Sequence, residues 1–526
     1  MEVSHMHMNV TVLADAYKLG HYHMSPSGVT YVWDGWTARS NQHMPYVEET
    51  VQFGYQYSVQ RWLIELFGKW FFEANIDEIE KDFIRKVVNG FHPQYADFTR
   101  FRKLYELGYL PLCIMALPEG MKVPIRVPMC VIYNTHPDFA WLPQFLEDLW
   151  SCTSWQPSTS ATTAYDRRKI LQRFVDKTCD DEAITKSLCG DFSFRGLTGI
   201  EQAYASSAGH LLSFDKSATF DTIGLIETYY DAKPEDWANV GTPSLEHSVV
   251  CQGIAYYRDI LENDGSYKGI TLEKYADWDV KLVAEMCYLK WLLTELQTTG
   301  PLSYVSDTYD FWGVVTQILP ELESDIRSRD GILLIRPDSG DPVKICCGDP
   351  APLNMVTHEK QGVVEALGYI FGTRVNKKGF KVIDAPIRVI YGDAITRERN
   401  FEIPDKLMHK GYSVENMRFG IGSLSYQYVT RDSRGYALKV TNAVIGGKEL
   451  PLYKAPKTDD GTKISQKGCF AVHYDRNGDI TYTDGLTFEQ ATNFDGNLLR
   501  EIFRDGEMKN REDFATIRNR LWNGEF

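Results

Sequence analysis

Four short apolar runs in the middle of the chain, LSYVSD (302–307), GILLIRPDSG (331–340), PIRVIYGD (386–393) and MRFGIGS (417–423), end in Asp, Gly or Ser, and helix-like stretches such as 284–296 and 363–371 lie between them. Buried runs of this length alternating with helical periodicity describe βαβ units, which build a parallel sheet covered by helices. In such sheets, whether open or closed into a barrel, chemistry collects at the carboxyl ends of the strands. The predicted class is therefore α/β, and the residues at those ends are the first candidates for function: Asp307, Arg336, Asp338, Gly392, Asp393, Gly422 and Ser423.

The flanks carry a different rhythm. Residues 48–67 have apolar side chains at helical spacing through Val51, Tyr55, Val59, Trp62 and Leu63, whereas 109–134 alternates short apolar runs with prolines and a Pro-Glu-Gly turn. Helices are predicted over 141–152 and 162–176, a hairpin over 469–483 with Asn477-Gly478 at its turn, and terminal helices over 498–506 and 512–522. A chain of 526 residues has room for more than one core. The simplest organisation inserts a central α/β domain, 156–429, between terminal segments 1–155 and 430–526, which pair to make a second, mixed α/β domain.

Charge narrows the class of partner. With 56 Lys and Arg against 71 Asp and Glu, the chain carries −15, which argues against nucleic acid or an anionic membrane as its main partner. No run of about 18 uncharged apolar residues is present, as a membrane span needs. The start, MEVSHMHMNV, lacks the apolar core of a signal peptide, and none of the ten cysteines forms a C-x-x-C pair. A reducing, cytoplasmic setting is expected. The sign reverses locally: residues 431–468 hold eight Lys or Arg (Arg431, Arg434, Lys439, Lys448, Lys454, Lys457, Lys463, Lys467) against four acids, the composition of an anion-binding arm or of a solvated loop.

Several short constellations could carry chemistry. Arg336 and Asp338 stand two apart at a strand end, where the guanidinium can clamp a phosphate and the carboxylate can face ribose hydroxyls or magnesium; an ion pair closing a turn is written the same way. Gly392-Asp393 suits a ribose diol, and the small residues of 419–423 expose N–H groups that can cradle a phosphate. Glu246-His247 offers a base or nucleophile without metal-ligand spacing. Asp191-Phe192-Ser193-Phe194-Arg195-Gly196 places an aromatic plane beside a cation. Neither a G-x-x-x-x-G-K-[ST] loop nor a G-x-G-x-x-G fingerprint occurs, so phosphates would be held by strand-end loops and arginines.

Taken in order, DAYKLGHY (15–22), VEETVQFGYQY (47–57), LPEGMKVP (117–124), DFSFRG (191–196), FDT (220–222), EHS (246–248), VSDTYD (305–310), IRPDSGDP (335–342), RVIYGD (388–393), TRD (430–432) and VTN (440–442) resemble the nicotinamide phosphoribosyltransferases. The resemblance implies a type II phosphoribosyltransferase fold, an irregular, TIM-like α/β barrel beside a second domain, and a homodimer with active sites at the interface. It implies transfer of phosphoribosyl from phosphoribosyl pyrophosphate to nicotinamide, with magnesium and with ATP as a coupling co-substrate.

Residue by residue, the resemblance implies that Phe192 stacks on the pyridine ring, that Tyr17 covers its other face from the second subunit, and that Asp15 and Asp221 belong to the same pocket, Asp221 accepting the carboxamide N–H. Arg195, Arg336 and His247 would meet phosphate or pyrophosphate. Asp338, Gly392 and Asp393 would meet ribose. Gly422, Ser423, Arg431, Lys439, Lys454 and Lys463 would wrap the phosphates. Asp307 and Asp338 would face magnesium. His247 would be the phosphorylatable histidine. The chain departs from the family at Gly190, Gly241, Ser423 and Ala437, which stand for His, Ser, Gly and Ser. A nicotinate phosphoribosyltransferase of the same fold and a non-catalytic dimeric relative are the alternatives.

Overall fold

A computed structural model describes residues 8–234, 239–349, 357–458, 461 and 463–524; residues 1–7, which carry most of the reading of the amino terminus, lie outside this set. The four central runs are strands of one parallel sheet. Its order is Lys216–Ser217, Cys189–Asp191, Met417–Ile421, Ile387–Tyr391, Leu333–Arg336, Leu302–Val305. Most of their residues are buried, as the continuous apolar runs require.

The sheet curls until one short segment reaches both of its edges. The Val240 N–H donates to Asp215 O (2.7 Å), while the Ser303 N–H donates to Pro243 O (2.8 Å) and the Leu245 N–H to Ser303 O (3.0 Å). Helices cover the outside, among them Val280–Trp291, Val363–Phe371 and Arg397–His409.

A second sheet is antiparallel and draws on both ends of the chain. Its order is Lys448–Pro451, Tyr436–Ile445, Val29–Ala38, Pro128–Asn134, Leu112–Ala116, Arg500–Arg504, Glu507–Met508. Two large apolar cores follow this division. One runs from Ala164 to Tyr426; the other combines Val10–Trp150 with Tyr436–Phe503.

The helix Glu147–Thr178 crosses from one core to the other; it contains the helix expected over 162–176 and the second half of that expected over 141–152, whose first half is the short helix Leu142–Phe145. Pro157 in its middle has no N–H to give the Thr153 carbonyl; the Ser58 hydroxyl donates to that oxygen instead, at 3.3 Å. The helix therefore passes through a proline and a Ser/Thr run that read as a break.

Two other expectations change. Residues 498–506 form strands, because Arg500–Arg504 pairs with the open edge of Leu112–Ala116; Leu499 and Phe503, four apart, imitate helical spacing. At 48–67 the first residues form the strand Glu49–Val51, paired with Lys122–Pro124, and the helix begins only at Tyr55, after Gly54 at φ 93°. The hairpin (Cys469–Tyr474 with Ile480–Leu486) and the terminal helix Phe514–Asn523 form as expected. All ten cysteines are free thiols. Among the described residues, no helix is long and apolar enough to cross a membrane.

Glu119 joins distant parts of the chain. Its fully buried carboxylate accepts from the N–H of Gly54 (2.9 Å) and of Gln56 (2.6 Å) and from the Tyr230 hydroxyl (3.0 Å), while Arg520 of the terminal helix donates to its main-chain carbonyl (2.6 Å). Burial outweighs these donors and pushes the carboxyl up from 4.5 to about 7. The folded state thus binds this proton more tightly than the unfolded state. Measured against Glu119→Gln by urea unfolding, wild-type stability is expected to fall as pH rises from about 4.5 to about 7 and to stay level above that, a change of about 3 kcal/mol. A difference that is flat across this range refutes the assignment.

Candidate active site

A cleft of about 1080 Å³ opens where the parallel strands end, and Phe192, Arg195, His247, Arg336, Asp338, Gly392 and Asp393 all line it. The chain leaves the strand Cys189–Asp191 through a turn that Asp191 organises. Asp191 Oδ1 accepts from the Ser193 N–H (2.9 Å) and hydroxyl (2.6 Å), and Oδ2 from the Ser217 hydroxyl (3.1 Å). The Phe192 N–H still donates to Ile421 O (2.8 Å), so the ring projects from the sheet's own rim. It lies over glycines: a Cβ at Gly420 would stand 2.4 Å from the Phe192 ring and 2.8 Å from Gly392 Cα. This close approach explains the glycine at 420, while a Cβ at Gly392 would stand 2.9 Å from Asp338 Oδ1.

On the neighbouring strands, Arg336 Nη2 donates to Leu245 O (2.7 Å) and its buried Nε has no hydrogen-bond partner. His247 is the first residue of the helix His247–Asn263. Its Nδ1 hydrogen-bonds with the Thr308 hydroxyl (3.1 Å); its Nε2 lies 3.5 Å from Asp307 Oδ1 and 4.0 Å from Asp338 Oδ2. Asp307 Oδ2 accepts from the Asp338 N–H (3.0 Å) and the Ser339 hydroxyl (2.6 Å), while its buried Oδ1 has no hydrogen-bond partner and faces the imidazole. A carboxylate so placed orients the ring and sets its tautomer. The ring also stands at the amino end of a 17-residue helix, where backbone N–H groups and the helix dipole favour phosphate.

Two cations of the cleft had no motif to announce them. Lys216 Nζ donates to the Thr242 hydroxyl (3.2 Å), and burial, together with the nearby Arg418 cation, lowers its pKa. Arg418, on the strand Met417–Ile421, gives its Nη1 to the main-chain carbonyls of Glu415 and Met417, and burial pushes it down to about 10. Arg418 leaves one trace in the sequence, a charged residue inside an otherwise apolar strand; Lys216, in the two-residue strand Lys216–Ser217, leaves none. His210, buried beneath them, hydrogen-bonds with the Tyr426 hydroxyl (2.6 Å) and Lys216 O (3.0 Å); burial pushes it down to about 4, so it is neutral and structural.

Other expected residues stand elsewhere in this chain. Asp221 immediately precedes the helix Thr222–Tyr230, without a side-chain capping bond, and interacts with Tyr204; its neighbour Phe220 lines the cleft. Ser423 abuts Gly196. Asp15, Tyr17 and Lys439 gather around Glu147 and Asp148 on the second sheet's side: the Asp15 N–H donates to Asp148 (2.8 Å), Lys439 Nζ to Glu147 (3.2 Å), and Tyr17 is 55% exposed. Arg431 pairs with Asp432, and the Lys454 N–H donates to the Ser465 hydroxyl. Gly422, Arg431, Lys439, Lys454 and Lys463 do not line the cleft of their own chain.

Among the described residues, no three His, Cys, Asp or Glu side chains are grouped to hold a metal by themselves. Asp307, with its free buried oxygen, and Asp338 do fit magnesium, which commonly takes one or two carboxylates and completes its shell with water and substrate phosphate.

The crowding at Phe192 is directly testable. Gly420→Ala is expected to destabilise the protein by about 1–3 kcal/mol, the cost of overpacking a filled site, as read by chemical unfolding. Unchanged stability would show that the ring is not held against that strand.

Residues 278–507 match the nicotinate phosphoribosyltransferase (NAPRTase) family. The chain is 34% identical to a nicotinamide phosphoribosyltransferase of Acinetobacter baylyi over 96% of both chains, and 29% identical to one of Mycoplasma pneumoniae over 88% of this chain and 96% of that one. Among solved structures it resembles human nicotinic acid phosphoribosyltransferase (TM-score 0.55, 16% identity, 97% and 93% of the two chains covered) and a nicotinate-nucleotide pyrophosphorylase of Pyrococcus furiosus (TM-score 0.51, 13% identity, 99% and 97% covered), likenesses of fold alone. By its identity to the Acinetobacter protein over nearly the whole of both chains, this chain belongs to the nicotinamide phosphoribosyltransferases of the NAPRTase family.

Proposed function

We propose that the chain is an enzyme that transfers 5-phosphoribosyl from phosphoribosyl pyrophosphate to nicotinamide, giving nicotinamide mononucleotide and pyrophosphate in NAD salvage. The observation that carries the proposal is one cleft, at the carboxyl ends of the parallel strands, that unites an aromatic plane, the guanidinium groups of Arg195 and Arg336, and Asp338 with the Gly392-Asp393 pair for a ribose. Phe192 stacks the pyridine ring and keeps its nitrogen in line with the anomeric carbon. Arg195 and Arg336 take phosphate oxygens and stabilise the charge that develops as pyrophosphate leaves. Asp338 and Asp393 hold the ribose hydroxyls beside Gly392. Magnesium, when bound with the substrate at Asp307 and Asp338, supplies further stabilisation of the pyrophosphate charge.

The curled sheet and its closing segment 240–245 form an irregular barrel domain over 156–429, and the two termini form the second domain. Two copies pair so that Tyr17, Asp15, Lys439 and the other cations of the arm complete the cleft of the neighbouring copy. ATP phosphorylates His247, ADP leaving, and hydrolysis of the phosphohistidine draws the reaction towards product; Asp307 and Thr308 orient the ring for this. The enzyme works in the cytoplasm.

Purified protein mixed with phosphoribosyl pyrophosphate and magnesium is expected to form nicotinamide mononucleotide from nicotinamide, faster with ATP, as read by chromatography. Product from nicotinate alone refutes the substrate, and none from either base identifies a non-catalytic relative. His247→Ala is expected to abolish the gain from ATP and leave a slower ATP-independent reaction. Asp221→Asn is expected to admit nicotinate, since a carboxylate at that place repels an acid and accepts from an amide; unchanged preference between the two bases refutes the role of Asp221.

A further inference from the structure

Arg195 sits in the loop 192–198, which Asp191 holds at Ser193 and a second element holds further along. The Thr198 N–H donates to the side-chain oxygen of Gln427 (3.1 Å), and the Ser423 side chain lies so close to Gly196 that a Cβ there would stand 2.5 Å from Ser423 Cβ and 2.3 Å from its Oγ. Both grips come from the single turn 423–427, which closes on itself through the Gln427 N–H to Ser423 O (2.7 Å).

That turn is itself anchored to the rest of the protein. Gln156 donates to Tyr426 O (3.3 Å), Arg167 donates to the Ser425 hydroxyl, and the Tyr426 hydroxyl hydrogen-bonds with the buried His210. Arg195 itself is exposed; its loop is fixed at Phe192 by the sheet, at Ser193 by Asp191, and at residues 196 and 198 by this turn.

We infer that Ser423 and Gln427 are positioning residues that set Arg195 for the phosphate of the substrate. The inference rests on the assignment of Arg195 to phosphoribosyl pyrophosphate. It also gives Ser423 a side-chain function at a position where relatives of the resembled family carry glycine: Ser423 and Gly196 are a complementary pair, one filling the space the other leaves empty. A long arginine in solvent gains little as a ligand unless its backbone is held, because ordering it on binding opposes the contact it makes.

The test is steady-state kinetics with phosphoribosyl pyrophosphate as the varied substrate, with a melting curve for each variant. Gln427→Ala is expected to raise KM for this substrate about fivefold, the ratio that loss of one hydrogen bond commonly gives, with kcat and the melting temperature little changed. Gln427→Glu, which keeps an oxygen at the same reach, is expected to recover most of the loss. Arg195→Ala is expected to raise the same KM by more, and adding Gln427→Ala to it is expected to change nothing further, since a residue acting through Arg195 has no effect without it.

Gly196→Ala, whose backbone is not in the left-handed region, is expected to raise KM roughly tenfold or more, and adding Ser423→Gly to bring it back to within about threefold of wild type. Full additivity with Arg195→Ala, an unchanged KM in Gln427→Ala, or no relief from Ser423→Gly overturns the inference. An Arg195→Ala enzyme with an unchanged KM overturns the assignment of Arg195 and the inference with it. If Gln427→Ala does not fold, the Gly196 and Ser423 pair decides alone.

Discussion

The turn at Asp191 is the constraint on which the cleft depends. A fully buried carboxylate is costly unless donors surround it, and here the donors are the residues that must be placed: Ser193 at the head of the arginine loop and Ser217 on the edge strand. Satisfying Asp191 therefore turns the chain out of the sheet at Phe192, brings the edge strand alongside, and leaves the aromatic ring over Gly420 and Gly392. The apolar plane and the cations of the site share one cause.

Closure of the curled sheet uses the same groups. The segment 240–245 touches both edges through main-chain hydrogen bonds, and two cations fasten it, Lys216 of one edge strand to the Thr242 hydroxyl and Arg336, on the strand beside the other edge, to Leu245 O. Each of these side chains also faces the cleft. A ligand anion drawing Arg336 or Lys216 inward competes with their hold on the closing segment, so anion binding and the geometry of this wall are linked through shared donors. His247 follows two residues after that wall and begins its helix, so the same linkage reaches the imidazole.

Strand ends were legible because a buried parallel strand is an uninterrupted apolar run and its terminator is polar or glycine; Asp307, Arg336, Asp338 and Gly392 stood out for that reason. The helix Glu147–Thr178 was not, because Pro157 signals a break and only the distant Ser58 hydroxyl, supplied by tertiary packing, repairs it. At residues 498–506 the spacing of Leu499 and Phe503 fits either a helix or a strand, and the choice belongs to the unpaired edge of Leu112–Ala116. Lys216 and Arg418 were missed since a cation inside a strand has no local signature; only curvature of the sheet turns such a side chain into a cavity wall. Ser423 was read through its backbone N–H, whereas its side chain matters through Gly196, a contact between residues more than two hundred positions apart.

Charge explains why the cations of residues 431–468 lie outside the cleft of their own chain. The cleft is lined by Arg195, Lys216, Arg336 and Arg418 and by Glu246, Asp338 and Asp393, with Asp307 just beneath. This is close to neutral, which keeps the empty site foldable: Lys216 and Arg418 already lose pKa to burial and to neighbouring cations, and more positive charge in the same wall would cost more. Lys439, kept beside Glu147 and Tyr17 on the other sheet, is charge stored where a carboxylate neutralises it. In the proposed dimer it is brought to the phosphates only when two folded copies meet, so the site reaches its full positive potential after folding is complete rather than during it.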